Sequence, residues 1–139
     1  MPSESDIVAL LSENETFAGT PADTLAALAH EAEQRDVAAG DELITQGVRC
    51  GSIFLAIEGE FGVFVKETPS DAPLARLGRG RVFGEIGAVS GIVATATVRA
   101  LSAGRVLMIP GSVLHKAMRQ TPSLAESVLR SLARYLGPK

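Results

Sequence analysis

Residues 53–65 limit the possible fold more than any other stretch. Ile53, Leu55 and Ile57 alternate with their neighbours, Glu58-Gly59-Glu60 marks a turn, and Phe61, Val63 and Val65 alternate again. A period of two on either side of a glycine turn predicts two short strands joined by that turn. Phe54 and Phe64 put apolar side chains on the opposite face as well. A sheet that is apolar on both faces must be covered on both, which suits a curled sheet with helices packed outside it.

The rest of the chain fits that plan. Residues 7–11 are apolar at helical spacing and are followed by Asn14 and Phe17. Thr20 reads as an N-cap with Pro21 at the first helical position, and Asp23 falls in the positive first turn. Leu25, Leu28 and Ala29 then make one apolar face, so a second helix runs to about Ala32. The pattern changes at Val37, Gly40-Asp41 is a turn signal, and short strands follow from Glu42. Residues 68–73 (TPSDAP) form a polar hairpin tip. Further strands are expected at 74–77, 96–101 and 105–109, before Pro110-Gly111 stops the sheet. Ser112 is placed to cap a helix over 113–119. Thr121-Pro122 opens a last helix with Leu124, Val128, Leu129, Leu132 and Leu136 on one stripe. Helices, about eight short strands, then helices indicate an α+β fold with a β-sandwich or barrel core. Hydrophobic residues make up 46% of the chain but aromatics only 4%, so that core must be mainly aliphatic.

Several function classes are disfavoured by simple chemistry. Thirteen basic residues against 16 acidic ones leave a net charge of −3, which lacks the basic footprint of nonspecific nucleic-acid binding. The single cysteine, Cys50, allows no internal disulfide and fits a reducing compartment. No apolar run approaches the ~20 residues of a membrane helix, and residues 1–6 are acidic where a signal peptide would be basic. A soluble cytoplasmic protein is expected. His30 and His115 both fall in expected helices, so they cannot join a metal cluster built on strands. No nucleophile–histidine–acid arrangement is apparent either, so an enzyme is not expected.

The chemistry concentrates in residues 81–100, RVFGEIGAVSGIVATATVRA. Phe83-Gly84-Glu85 forms a turn in which glycine lets the backbone approach a ligand. A short helical turn starting near Glu85 would aim free N–H groups at an anion. The β-branched run 95–98 favours a strand. Together these make a cradle for a phosphate beside a hydroxyl-bearing sugar.

The same stretch resembles the phosphate-binding cassette of the cyclic nucleotide-binding domain family. There, Phe-Gly-Glu-(Leu/Ile)-Ala-Leu-Leu precedes a short loop and Pro-Arg-Ala-Ala-Thr-Val. Here, Phe83 to Val98 aligns with it without a gap. The resemblance extends to Phe17, Thr20-Pro21, the segment 40–47 (GDELITQG) and Ile57-Glu58-Gly59. It implies an eight-stranded antiparallel β-roll, or jelly-roll, with N- and C-terminal helices. Residues 1–139 would form a single domain, with helices at 1–32, the β-roll at 33–110 and helices at 111–139. Gly40, Gly47, Gly59 and Gly84 look like the family's structural glycines.

The resemblance also implies a site: Phe83, Gly84, Glu85, Ile86, Ala94, Thr95, Ala96 and Thr97. Glu85 would accept from a ribose 2′-hydroxyl, Gly84, Thr95 and Ala96 would bind phosphate, and Thr97 would face a purine. The family's phosphate-binding arginine is replaced by Ala94, and the preceding proline by Val93. An arginine fork makes two charge-assisted bonds of ~1.5–3 kcal/mol each, so the change removes ~3–6 kcal/mol, on the order of a hundred- to ten-thousand-fold in affinity. Arg99 lies an odd number of strand positions away and points to the other face. Arg79 and Arg81 sit in the loop before the cassette, from which they can swing toward it.

Three readings follow. The chain is a regulatory, signalling module that binds cAMP, cGMP or a related nucleotide weakly if at all, with no other cofactor or metal. Alternatively, it is a degenerate scaffold that serves as a dimerisation or protein-interaction unit, with the last helix pairing with a second copy or another protein. A cupin-like metalloenzyme is the least favoured. Family members that are transcription factors carry a helix-turn-helix after this point, and none follows before Lys139, so direct DNA binding is not expected.

Overall fold

The computed structural model describes residues 3–66, 72–91 and 93–136. The hairpin tip expected at 68–73 falls largely outside the described residues.

The chain begins with α1 (Glu4–Glu13) and α2 (Ala22–Glu31). α1 is longer than its apolar core because Ser3 caps it: the Ser3 hydroxyl accepts from the Asp6 N–H while the Asp6 carboxylate accepts from the Ser3 N–H. That reciprocal cap holds the Asp6 carboxyl below the ordinary aspartate range. α2 starts one residue later than expected. Pro21, not Thr20, is its N-cap, and no side chain caps it.

Eight strands follow: β1 (Glu33–Val37), β2 (Glu42–Ile44), β3 (Ser52–Glu58), β4 (Phe61–Phe64), β5 (Ala75–Leu77), β6 (Val82–Phe83), β7 (Thr97–Ala100) and β8 (Gly104–Pro110). Between β6 and β7 lies the short helix α3 (Glu85–Ser90), and α4 (Gly111–Gln120) and α5 (Pro122–Leu136) close the chain. The strands form two antiparallel four-stranded sheets, ordered β1-β8-β3-β6 and β2-β7-β4-β5. Strand β1 begins where the resemblance starts the roll, at residue 33, but no alternation marks it as a strand. Its sequence, EQRDV, is mostly exposed and pairs only with β8, so it carries no apolar alternation. Arg105 of β8 lies opposite Asp36 of β1 and bonds it at 2.9 Å, with Glu58 of β3 at 3.6 Å. The bond to Asp36 is the main reason its guanidinium is held above its ordinary range.

The two-faced strand β3 organises two cores. Ile53, Leu55 and Ile57 face the helices, where they pack with Leu11, Phe17, Leu28, Leu114, Leu124 and Val128. Phe54 and Ala56 face the interior of the roll, with Phe61, Leu77, Phe83, Val98 and Val106. The helical side is therefore covered as the alternation predicts. α4 begins at Gly111 with Pro110 as its N-cap, rather than after Ser112. Close packing explains the shift: the Gly111 N–H donates to the Gly51 carbonyl at 2.6 Å, and a Cβ there would lie 2.7 Å from that oxygen.

The stripe of α5 also differs from expectation. Leu124 and Val128 are fully buried, but Leu129 is 59% exposed. The buried face instead includes Ser127 and Ser131. The Ser127 hydroxyl donates to the Thr16 carbonyl at 2.5 Å, and the Thr16 hydroxyl donates to Ser131 at 3.1 Å. The side chains of Leu132 and Leu136 lie outside the description. Among the described residues no helix is long and apolar enough to cross a membrane.

Candidate functional site

Strand β6 leads into the cassette. Phe83 pairs with Phe54 of β3, and their rings stack at 5.3 Å while Phe61 packs at 5.7 Å. This aromatic group fastens the cassette to the interior of the roll. Gly84 then turns the chain at φ +88° and caps α3 without a side chain. A Cβ on Gly84 would lie 3.0 Å from the Ser52 carbonyl oxygen and 3.2 Å from Ile44. The missing side chain thus makes room for the protein's own packing as well as permitting the left-handed turn. α3 is six residues long and ends at Gly91, again with positive φ.

The segment after α3 is fastened to the loop before β3. Gly47 donates to the Ala94 carbonyl at 2.9 Å, Ala94 donates to the Val48 carbonyl at 3.0 Å, and Arg49 pairs with Val93. The Arg49 guanidinium donates to the Gly91 carbonyl. Ala94 therefore occupies an ordered backbone position with no charged group on it.

A cavity of about 320 Å³ opens between this segment and the interior of the roll. Val63, Ala75, Leu77 and Val98 form the wall contributed by β4, β5 and β7. Ile44 of the adjacent β2, together with Cys50, Val82 and Phe83, also lines it. Gly84, Gly87, Ala94, Thr95 and Ala96 bring in the cassette. The volume falls at the low end of the roughly 300–1,000 Å³ of small-molecule sites.

The structure thus brings Phe83, Gly84, Ala94, Thr95 and Ala96 to one cavity. Glu85 and Ile86 are the first two residues of α3; their side chains lie outside the description. Thr97 is buried and is not among the lining residues; its hydroxyl accepts from the Gln46 N–H at 3.0 Å.

The nearby arginines separate clearly. Arg99 sits 4.4 Å over the Phe64 ring and 3.9 Å from Glu42, away from the cavity lining. Arg79 donates to the Ile57 carbonyl at 3.0 Å. Arg81 lines the cavity. Its loop is anchored rather than swinging: Gly80 donates to the Ala56 carbonyl at 2.8 Å and Ala56 donates to the Arg81 carbonyl at 3.0 Å. Sequence reasoning gave Arg79 and Arg81 the same prospects; only the backbone pairing with β3 tells them apart.

The cassette also touches the C-terminal helices. The His115 Nε2–H of α4 donates to the Ala88 carbonyl of α3 at 2.9 Å. His30 lies on α2 and His115 on α4.

Comparison with known proteins agrees with this architecture. The sequence model of the cyclic nucleotide-binding domain matches residues 34–121. An uncharacterized NTE family protein of Mycobacterium bovis is 32% identical over 109 residues, which cover 78% of this chain but only 18% of that protein. The sensor domain of the transcriptional regulator DNR from Pseudomonas aeruginosa superposes with a TM-score of 0.80 at 16% identity, covering 96% of this chain and 90% of that one. The regulatory domain of Toxoplasma gondii PKA, solved with cAMP, gives 0.75 at 16% identity over 82% of this chain and 44% of that one. With two four-stranded sheets, flanking helices, a glycine-capped cassette helix and a family match across residues 34–121, the chain belongs to the cyclic nucleotide-binding domain family.

Proposed function

We propose that this chain is a non-catalytic regulatory module that senses a small anionic ligand in the cavity beside α3, and that it binds cyclic AMP or cyclic GMP only weakly. The observation that carries this reading is the cavity itself, open and lined by Gly84, Ala94, Thr95 and Ala96. A scaffold kept only for protein interaction has no need of that space, so the cavity favours sensing over the degenerate reading. Weak nucleotide binding follows from Ala94, which leaves the phosphate without the fork that neutralises it. Occupancy would reach the C-terminal helices through the bond between His115 and Ala88.

Cys50 provides the test. It is half-buried in the cavity wall and is the only cysteine. Millimolar cyclic AMP is expected to slow its alkylation by iodoacetamide, with matching heat in titration calorimetry. Unchanged alkylation together with no heat for either cyclic nucleotide or for ATP would refute the sensing of nucleotides.

A further inference from the structure

We propose that the cavity is selective for an amphipathic anion, a ligand with an apolar body and one charged group, and that Arg81 holds the charge. This rests on the sensing reading and names the ligand class. Among the described lining residues Arg81 alone is charged, and most of the others are aliphatic or aromatic: Ile44, Val63, Leu77, Phe83 and Val98 are representative. Such walls suit a ring or chain without polar edges. A nucleotide would bring hydroxyls and base heteroatoms against them, and each polar group that loses water without gaining a partner weakens binding.

Arg81 is suited to receive the charge. Its neighbours are committed: Arg76 to Glu60 at 2.6 Å, Arg79 to the Ile57 carbonyl, Arg99 to Phe64 and Glu42. Among the described residues the Arg81 guanidinium makes no ion pair or side-chain hydrogen bond. Its backbone is held on both sides, by its own N–H to the Gly78 carbonyl at 3.2 Å and by the Ala56 N–H to its carbonyl. A planar fork on an anchored backbone at the edge of an apolar cavity recognises a carboxylate, sulfonate or phosphate. The charge lost at Ala94 is thus replaced from a different element of the same site.

Two fluorescent probes with a common body test this in the full chain: anionic 1-anilinonaphthalene-8-sulfonate and neutral N-phenyl-1-naphthylamine. The chain has no tryptophan to interfere. The anionic probe is expected to bind about tenfold more tightly than the neutral one, the scale of one charge-assisted contact. Arg81→Gln should abolish that preference and leave the neutral probe unchanged, Arg81→Lys should restore part of it, and Arg76→Gln should have no effect. Ala75→Phe, at an exposed position of the cavity wall, should weaken both probes. Loss of anion preference with circular dichroism unchanged supports the assignment. Equal binding of the anionic probe by Arg81→Gln, or insensitivity of both probes to Ala75→Phe, overturns it. If Arg81 proves irrelevant while cyclic AMP still protects Cys50, only the Arg81 assignment falls. If neither probes nor nucleotides bind, the sensing reading falls with it.

Discussion

Ala94 removes a charge from the cassette without disturbing its path, because both its backbone groups are bonded to the 47–48 turn. Restoring the side chain should therefore restore the chemistry. Ala94→Arg is expected to raise cyclic nucleotide affinity on the order of a hundredfold or more by calorimetry. No gain would show that the fork cannot reach phosphate from this backbone. Gly84 carries a different constraint. At φ +88°, with Ser52 and Ile44 against the position of a Cβ, Gly84→Ala should cost about 1–3 kcal/mol in urea unfolding. The need for glycine at that turn was visible in the sequence. The separate fates of Arg79 and Arg81 were not, because two arginines one glycine apart have the same local chemistry until the strand across from them is known.

Helix α5 shows how an element can be found correctly, with Leu124 and Val128 buried as expected, while one edge of its buried stripe is misjudged. The sequence places a helix after Thr121-Pro122, and the helix is there. Leucine spacing puts Leu129 on its buried stripe, whereas Leu124, Ser127, Val128 and Ser131 occupy that face. The serines are buried because Thr16, in the turn after α1, supplies their partners. Ser127→Ala should accordingly cost about 1–3 kcal/mol, since it orphans a buried carbonyl. Leu129→Lys should stay within about 0.5 kcal/mol. Urea denaturation of the two variants tests the orientation directly. Strand β1 is unmarked by alternation for the related reason that its strand character comes from pairing with β8 and not from its own charged sequence.

At the scale of the molecule, two cores share strand β3, and the cavity borders chiefly the one inside the roll, with Val82 of the helix-side core also in its lining. A ligand there binds the folded state alone, so saturation stabilises by mass action. At a hundredfold excess over Kd the gain is about 2.7 kcal/mol, and for a chain of this length the thermal midpoint should rise by roughly 10 °C. A midpoint that stays constant with a ligand already shown to protect Cys50 would contradict a shared folding unit. The amino-acid sequence alone determined most of the helices and strands, the two-faced strand β3 and the glycine turns, because each is written in local periodicity or in a backbone angle that few residues adopt; its resemblance to a family's cassette located the site and its missing arginine. Tertiary structure alone decided that an acidic-basic segment would pair with β8 as β1, that serines rather than Leu129 would be buried, and that Arg81 rather than Arg79 would line the cavity. Those outcomes depend on which distant groups arrive opposite a residue, and neighbouring residues in the chain hold no record of that.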